Sequence, residues 1–195
     1  MEEIAKGAEA NLYLTDGLLV KKRVEKKYRH RTLDEELRRQ RTNREAKNME
    51  RALKAGVNTP KVLSVDEKNN TLKMEYVEGR LLKELFDADE GVEQHSQKIG
   101  EQLRILHGAN IIHNDLTTSN MIFSNGKIFF LDFGLSIHST RLEDKAMDLV
   151  VFKKSIHATH TKQADTIWQN LLQGYQPDKQ TITRIQTIEK RVRYK

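Results

Sequence analysis

His113-Asn114-Asp115-Leu116-Thr117-Thr118-Ser119-Asn120, followed by Asp132-Phe133-Gly134, is the stretch on which the fold turns. Its first part has the form H-x-D-x-x-x-x-N, and its second acidic residue, Asp132, comes 17 residues after Asp115. Phosphoryl transfer asks for this set of groups. One carboxylate orients or deprotonates the acceptor, while an amide oxygen and a second carboxylate hold the Mg²⁺ that bridges the nucleotide phosphates. Met121-Ile122-Phe123 and Ile128-Phe129-Phe130-Leu131 flank Asn125-Gly126, a strong hairpin signal, so the chain doubles back between the two halves. An isolated D-F-G is weak. At this distance from the loop aspartate, with a hairpin between, it is strong. Asp115 is therefore the candidate catalytic carboxylate, Asn120 and Asp132 are candidate metal ligands, and ATP and Mg²⁺ are the expected cofactors.

Upstream, the same chemistry needs a cation for the α- and β-phosphates and an acid to hold it. Residues 4–24 alternate loosely and break at Asp16-Gly17, which predicts two strands. Lys21 follows the apolar run of the second and can point inward; Lys22, the rival, faces the other side. The segment from Leu33 to Ala55 is rich in helix formers and ends at Gly56. Glu45 shares its buried face with Met49 and Ala52, where a carboxylate needs a partner; Lys21 is favoured over a lysine or arginine of the same helix. Lys6-Gly7-Ala8 stands where a phosphate-covering loop belongs, although with one glycine. Met74-Glu75-Tyr76-Val77 closes the front half, and the backbone at Glu75 and Val77 would meet an adenine ring.

Val62 to Val65 and Leu72 to Val77 read as strands around a turn at Asn69-Asn70, and Gly79 as a connector. Beyond it the pattern is helical: 81–86, 92–108, then three segments from Leu142 that break near Thr159 and at Gly174 to Pro177. The expected class is α+β, a minimal bilobal kinase-like fold. Residues 1–78 form an N-lobe with a small antiparallel sheet and one helix, and residues 79–195 a mostly helical C-lobe. His113 is expected to brace the catalytic loop and Asp148 to accept hydrogen bonds from its backbone. His157 and His160 lie three apart without a third ligand, so no zinc site is expected.

Composition sets the outer limits. No apolar run is long enough to span a membrane, and Met1-Glu2-Glu3-Ile4-Ala5-Lys6 lacks the apolar stretch of a signal peptide. The chain has no cysteine, which excludes disulfides and thiolate metal sites and points to the cytoplasm. Net charge is +6, and the excess is local: Lys21 to Arg51 carries 13 basic against 6 acidic residues, and Arg184 to Lys195 carries 5 against 1. Two such clusters in an otherwise acidic chain suggest a polyanion such as RNA, or an acidic protein surface.

The residues resemble a known family, the small atypical kinase/ATPase of the KEOPS (EKC) complex, related to RIO kinases. The likeness covers nearly the whole chain. It is carried by Lys6-Gly7-Ala8-Glu9-Ala10, Lys27-Tyr28-Arg29-His30, Arg41-Thr42-Asn43-Arg44-Glu45-Ala46, Ala55-Gly56-Val57-Asn58-Thr59-Pro60, Met74 to Gly79, Asp115 to Met121, Asp132 to Ser136 and Glu143 to Leu149. Asp115-Leu116-Thr117-Thr118-Ser119-Asn120 separates this family from ordinary protein kinases. The resemblance implies serine/threonine autokinase activity with ATP hydrolysis as the physiological output. It implies partners: a threonylcarbamoyl-transferase subunit, a small helical subunit, and tRNA that reads codons beginning with A, met by the basic helix and C-terminal tail. It also carries the ATP-handling roles onto Lys21, Glu45, Asp115, Asn120 and Asp132.

Two positions depart from the family pattern. Residue 114 is Asn where Gly is expected, which crowds the approach to Asp115. The end reads Arg191-Val192-Arg193-Tyr194-Lys195 in place of an R-x-R-G-R-like tail. Between Gly134 and Glu143 only eight residues intervene, and no A-P-E closes them, so the platform on which ordinary kinases lay a peptide is missing. Water or a partner residue becomes the expected acceptor. The alternatives are a kinase acting mainly on a partner protein, or a small-molecule phosphotransferase, which would need a larger helical insert.

Overall fold

The computed structural model describes residues 2–193. Asp16 and Gly17 take φ of +51° and +74°, the left-handed pair that a two-residue hairpin requires to match the twist of its strands. They join β2 (Ala10–Thr15) to β3 (Leu18–Arg23). Where alternation predicts two strands, three form: β1 (Glu2–Lys6) is set apart because the chain folds back between Gly7 and Ala10. Helix α1 (Arg31–Lys54) follows, then β4 (Val62–Asp66) and β5 (Thr71–Glu75), completing an antiparallel sheet in the order β1-β2-β3-β5-β4. Glycine at position 56, φ +95°, ends α1. There Val57 N donates to Ala52 O at 3.0 Å and Gly56 N to Leu53 O at 3.1 Å, which satisfies the last carbonyls of the helix. Ala46, Met49 and Ala52 of α1 are buried in one core with Leu72 and Met74 of β5.

The rest of the chain is mainly helical. It comprises β6 (Arg80–Leu81), α2 (Leu82–Asp87), α3 (Val92–Gly108), β7 (Ile111–Ile112), β8 (Met121–Ser124), β9 (Lys127–Phe130), β10 (Ile137–His138), α4 (Leu142–Thr159), α5 (Ala164–Tyr175) and α6 (Lys179–Arg193). The β8–β9 hairpin turns at Asn125 and Gly126, φ +48° and +77°, as its sequence predicts. Strands β6, β7 and β10 escape prediction because two residues are too few to display a period. Phe130 and Phe133 carry the core of the front half into the helical half, where Leu103, Leu106, Phe152, Ile167 and Leu171 are fully buried. The result is the expected bilobal α+β fold, with one sheet and one long helix in front and helices behind. No helix among the described residues is long and apolar enough to cross a membrane.

Candidate active site

A cavity of about 570 Å³ lies between the sheet and the helical half. Its roof is the turn Lys6-Gly7-Ala8, its inner wall carries Lys21 and Glu45, its far edge is Glu75 to Val77, and its floor reaches Asn120 and Asp132. All seven predicted nucleotide-binding residues and both predicted metal ligands therefore line one space. Asp115 does not line it; it opens on an adjoining cavity of about 210 Å³ that shares Asp132. The roof turn depends on its glycine. Gly7 N donates to Ala10 O at 3.0 Å, and a Cβ at position 7 would sit 2.7 Å from that same carbonyl oxygen.

Strand geometry decides which lysine faces the cavity: Lys21 is buried and Lys22 exposed. Lys21 Nζ donates to Glu45 Oε1 at 2.7 Å and lies 2.8 Å from Asp132 Oδ1. Burial alone would lower the pKa of this ammonium, but the two carboxylates outweigh it and hold the pKa above the ordinary lysine value. For Asp132, burial pushes upward, and Lys21, the Gly134 N–H and Arg23 together hold its carboxyl below the usual range. Glu45 is itself shared, since Arg23 Nη2 bonds its second oxygen. Sequence reasoning missed Arg23, although the signal was available: residues two apart on a strand share a face, so Arg23 follows Lys21 inward.

Asp132 sits in the left-handed region, φ +55°, heading the turn Phe133–Leu135. Its carboxylate accepts from Gly134 N at 3.2 Å and stays partly open to solvent. Asn120 Nδ2 donates to Asp115 O at 2.9 Å and Asp115 Oδ2 at 3.0 Å, which leaves its carbonyl oxygen free to ligate. An amide carbonyl and a half-exposed carboxylate, both hard oxygens, suit Mg²⁺, an ion that takes one or two protein ligands and fills the rest with phosphate and water.

The candidate catalytic loop is braced from behind. Asp148 of α4 accepts from His113 N at 2.7 Å and Asn114 N at 2.8 Å. His107 Nε2 lies 3.1 Å from the same carboxylate, and its Nδ1 lies 2.9 Å from the Tyr175 hydroxyl. His113 Nε2 meets Leu131 O at 2.9 Å, which ties the loop to the strand that delivers Asp132. Thr118 Oγ1 lies 2.8 Å from Nε2 of buried His160, whose Nδ1 lies 3.0 Å from Asp87 Oδ1. His160 thus faces the loop through a hydroxyl. Asn114 takes φ +63°, a conformation that Gly and Asn tolerate best, and its side-chain amide donates to Leu135 O at 3.1 Å.

After Gly134 the chain has little length to spare. Ser136 Oγ accepts from Asn48 of α1 at 2.7 Å, Ile137 and His138 pair with β7, and α4 begins at Leu142. No loop is left over to hold a peptide.

Two lobes, an ion-paired lysine in the cleft and an Asp–Asn loop facing a second aspartate define a kinase-like phosphotransferase core. A model of the RIO domain matches residues 18–165. The chain is 38% identical over its whole length to the KEOPS complex subunit Bud32 of Pyrococcus abyssi, covering 97% of that protein. It belongs to the RIO family of atypical kinases, as a member of the Bud32 type. It is also 41% identical to a probable bifunctional tRNA threonylcarbamoyladenosine biosynthesis protein of Methanobrevibacter smithii, with 98% of this chain aligned, and 40% identical to the protein of the same description from Methanocaldococcus jannaschii. The chain spans about a third of the length of these bifunctional relatives, 36% in each case.

Proposed function

We propose that this chain is the ATP-dependent kinase/ATPase subunit of a KEOPS-type assembly, supporting threonylcarbamoyladenosine formation in tRNAs that read codons beginning with A. The observation that carries the reading is Lys21 held between Glu45 and Asp132 at 2.7 and 2.8 Å, on the wall of a nucleotide-sized cavity in a fold without a peptide platform. In this reading residues 1–78 act as the N-lobe and 79–195 as the C-lobe. Lys6, Gly7 and Ala8 cover the phosphates, Lys21 contacts them, and Glu45 sets the position of Lys21. The backbone at Glu75 and Val77 meets the adenine; the Glu75 N–H is already given to Lys61 O at 2.9 Å, so its carbonyl is the group on offer. Asn120 and Asp132 hold Mg²⁺, which when bound offsets the charge on the phosphates. Asp115 orients the acceptor.

Water is the acceptor this geometry favours, because Asp115 opens on a small cavity and the segment after Gly134 is tied down. Serine/threonine kinase activity is the same chemistry with a hydroxyl in place of water. The partners are a threonylcarbamoyl-transferase subunit and a small helical subunit, in the cytoplasm. The basic face of α1 offers a landing place for tRNA. Of the predicted basic tail, Arg191 to Arg193 belong to the end of α6, and Tyr194 and Lys195 lie outside the described residues.

Phosphate release from ATP, measured with and without the transferase subunit and tRNA, tests the reading. Partner and tRNA are expected to stimulate release, and Asp132→Ala to lower it about 100-fold or more. Release that is unchanged in Asp132→Ala overturns the assignment. Stoichiometric phosphate found on a partner protein by mass spectrometry would move the acceptor from water to that protein.

A further inference from the structure

The second cavity holds groups that the nucleotide reading does not use. About 210 Å³ in volume, it is lined by Asp115, Asp132 and Gly134 on one side and by Arg23, Arg41 and Glu9 on the other. Arg41 projects from α1 and pairs with Glu9 Oε2 at 2.7 Å. Arg23 is almost fully buried and engages Glu45. Among the described residues, Arg41 meets a carboxylate only through Nη1 and Arg23 only through Nη2. A guanidinium has five N–H donors in a rigid fork, so each has donors left for a planar or tetrahedral oxyanion. Gly134 keeps the space open: a Cβ there would stand 2.7 Å from Arg23 Nη2.

We propose that this cavity is an oxyanion subsite that receives the inorganic phosphate formed by ATP hydrolysis, with Arg23 and Arg41 as its binding groups. The inference rests on the ATPase reading above and names the place where the product is held. In the step concerned, the oxygen of a water molecule bonds to the γ-phosphorus. The bond from phosphorus to the β,γ-bridging oxygen breaks, and its electron pair stays on ADP. One water proton passes to Asp115 and the other remains on the phosphate. Asp115 later gives its proton to solvent.

Lys21, Arg23, Lys26 and Arg41 are paired with Glu9, Glu45 and Asp132, four cations against three carboxylates, and Asp115 lines the cavity as a fourth. The unused N–H donors of Arg23 and Arg41, rather than a surplus of charge, hold the anion. The size of the cavity suits phosphate and excludes a peptide.

Calorimetric titration of inorganic phosphate into the full chain loaded with Mg-ADP tests the subsite. Wild type is expected to show saturable binding. Arg41→Gln removes a charge-assisted contact and weakens it about tenfold or more. Glu9→Gln frees Arg41 and adds one positive charge to the cavity, tightening binding about threefold. Opposite signs cannot arise from a general loss of folding. Absence of saturable phosphate binding in wild type, or equal affinity in Arg41→Gln, or a shift of both variants in one direction, overturns the proposal. Failure to bind ADP would instead count against the nucleotide reading, and the dependence on Arg41 locates the phosphate whichever way the ADP titration falls.

Discussion

Glu45 is the side chain on which the site is most exposed to damage. It is 1% accessible and holds two cations, Lys21 and Arg23, in a space almost closed to water. Attraction between such groups does little more than offset the cost of taking them out of water, but removing one partner leaves charge buried without compensation. Glu45→Ala is therefore expected to destabilise the chain by about 3 kcal/mol or more, read from urea denaturation midpoints. Lys21 would keep Asp132, whereas Arg23 would lose its carboxylate. A loss below about 1 kcal/mol would mean that water reaches the cluster and that the ion pairs are worth no more than surface pairs.

At the scale of elements, the candidate catalytic loop is positioned by helices that never touch the larger cavity. Asp148 on α4, His107 on α3 and Tyr175 on α5 form one hydrogen-bonded chain that ends on the loop backbone at His113 and Asn114. That chain depends on how closely α3 and α5 approach, which two glycines permit. A Cβ on Gly100 would lie 2.0 Å from Leu171 O, and one on Gly174 2.0 Å from Gln97 O. Both clashes are with backbone, which cannot rotate away. Gly100→Ala and Gly174→Ala are each expected to cost about 2–3 kcal/mol by overpacking. Measured by thermal or urea unfolding, a neutral or stabilising effect at both positions would contradict the close crossing.

Across the whole molecule, the buried titratable groups predict how stability follows pH. Burial pushes the Tyr175 phenol from 10.0 up to about 12, with the nearby Asp148 charge adding to the effect. The unfolded chain ionises this phenol near its ordinary value while the folded chain keeps the proton. The stabilisation is thus complete below pH 10 and is lost as pH rises from 10 toward 12. The shift corresponds to about 3 kcal/mol across that window. Lys21 acts with the same sign, since its raised pKa favours the folded state until the unfolded lysine loses its proton. Tyr175→Phe should be less stable than wild type at neutral pH by about 1 kcal/mol for the lost hydrogen bond, yet fall less steeply above pH 10. Denaturation midpoints of the two chains on both sides of that pH decide it; parallel curves would remove Tyr175 as the cause.

What could be read from the sequence was whatever depends on neighbours along the chain. The Asp16-Gly17 and Asn125-Gly126 hairpins follow from local backbone preference, and α3 matches its apolar period from Val92 to Gly108. The candidate loop, with Asp115, Asn120 and Asp132 in fixed order, was legible because a short loop and one hairpin determine how those groups can meet. The strand pattern even pointed Lys21 inward. What only the tertiary structure decided was how distant charges are shared. Arg23 joins Glu45 across 22 residues, Arg41 reaches Glu9 across 32, and Tyr175 supports the loop through His107 across 68. Spacing turns Arg23 inward beside Lys21, but which carboxylate each further cation meets is set by the packing of a helix on a sheet and of one helix on another. For the same reason Asp115 faces a separate cavity beside the larger one, a division that appears only when α1, the roof turn and the Phe133–Leu135 turn come together.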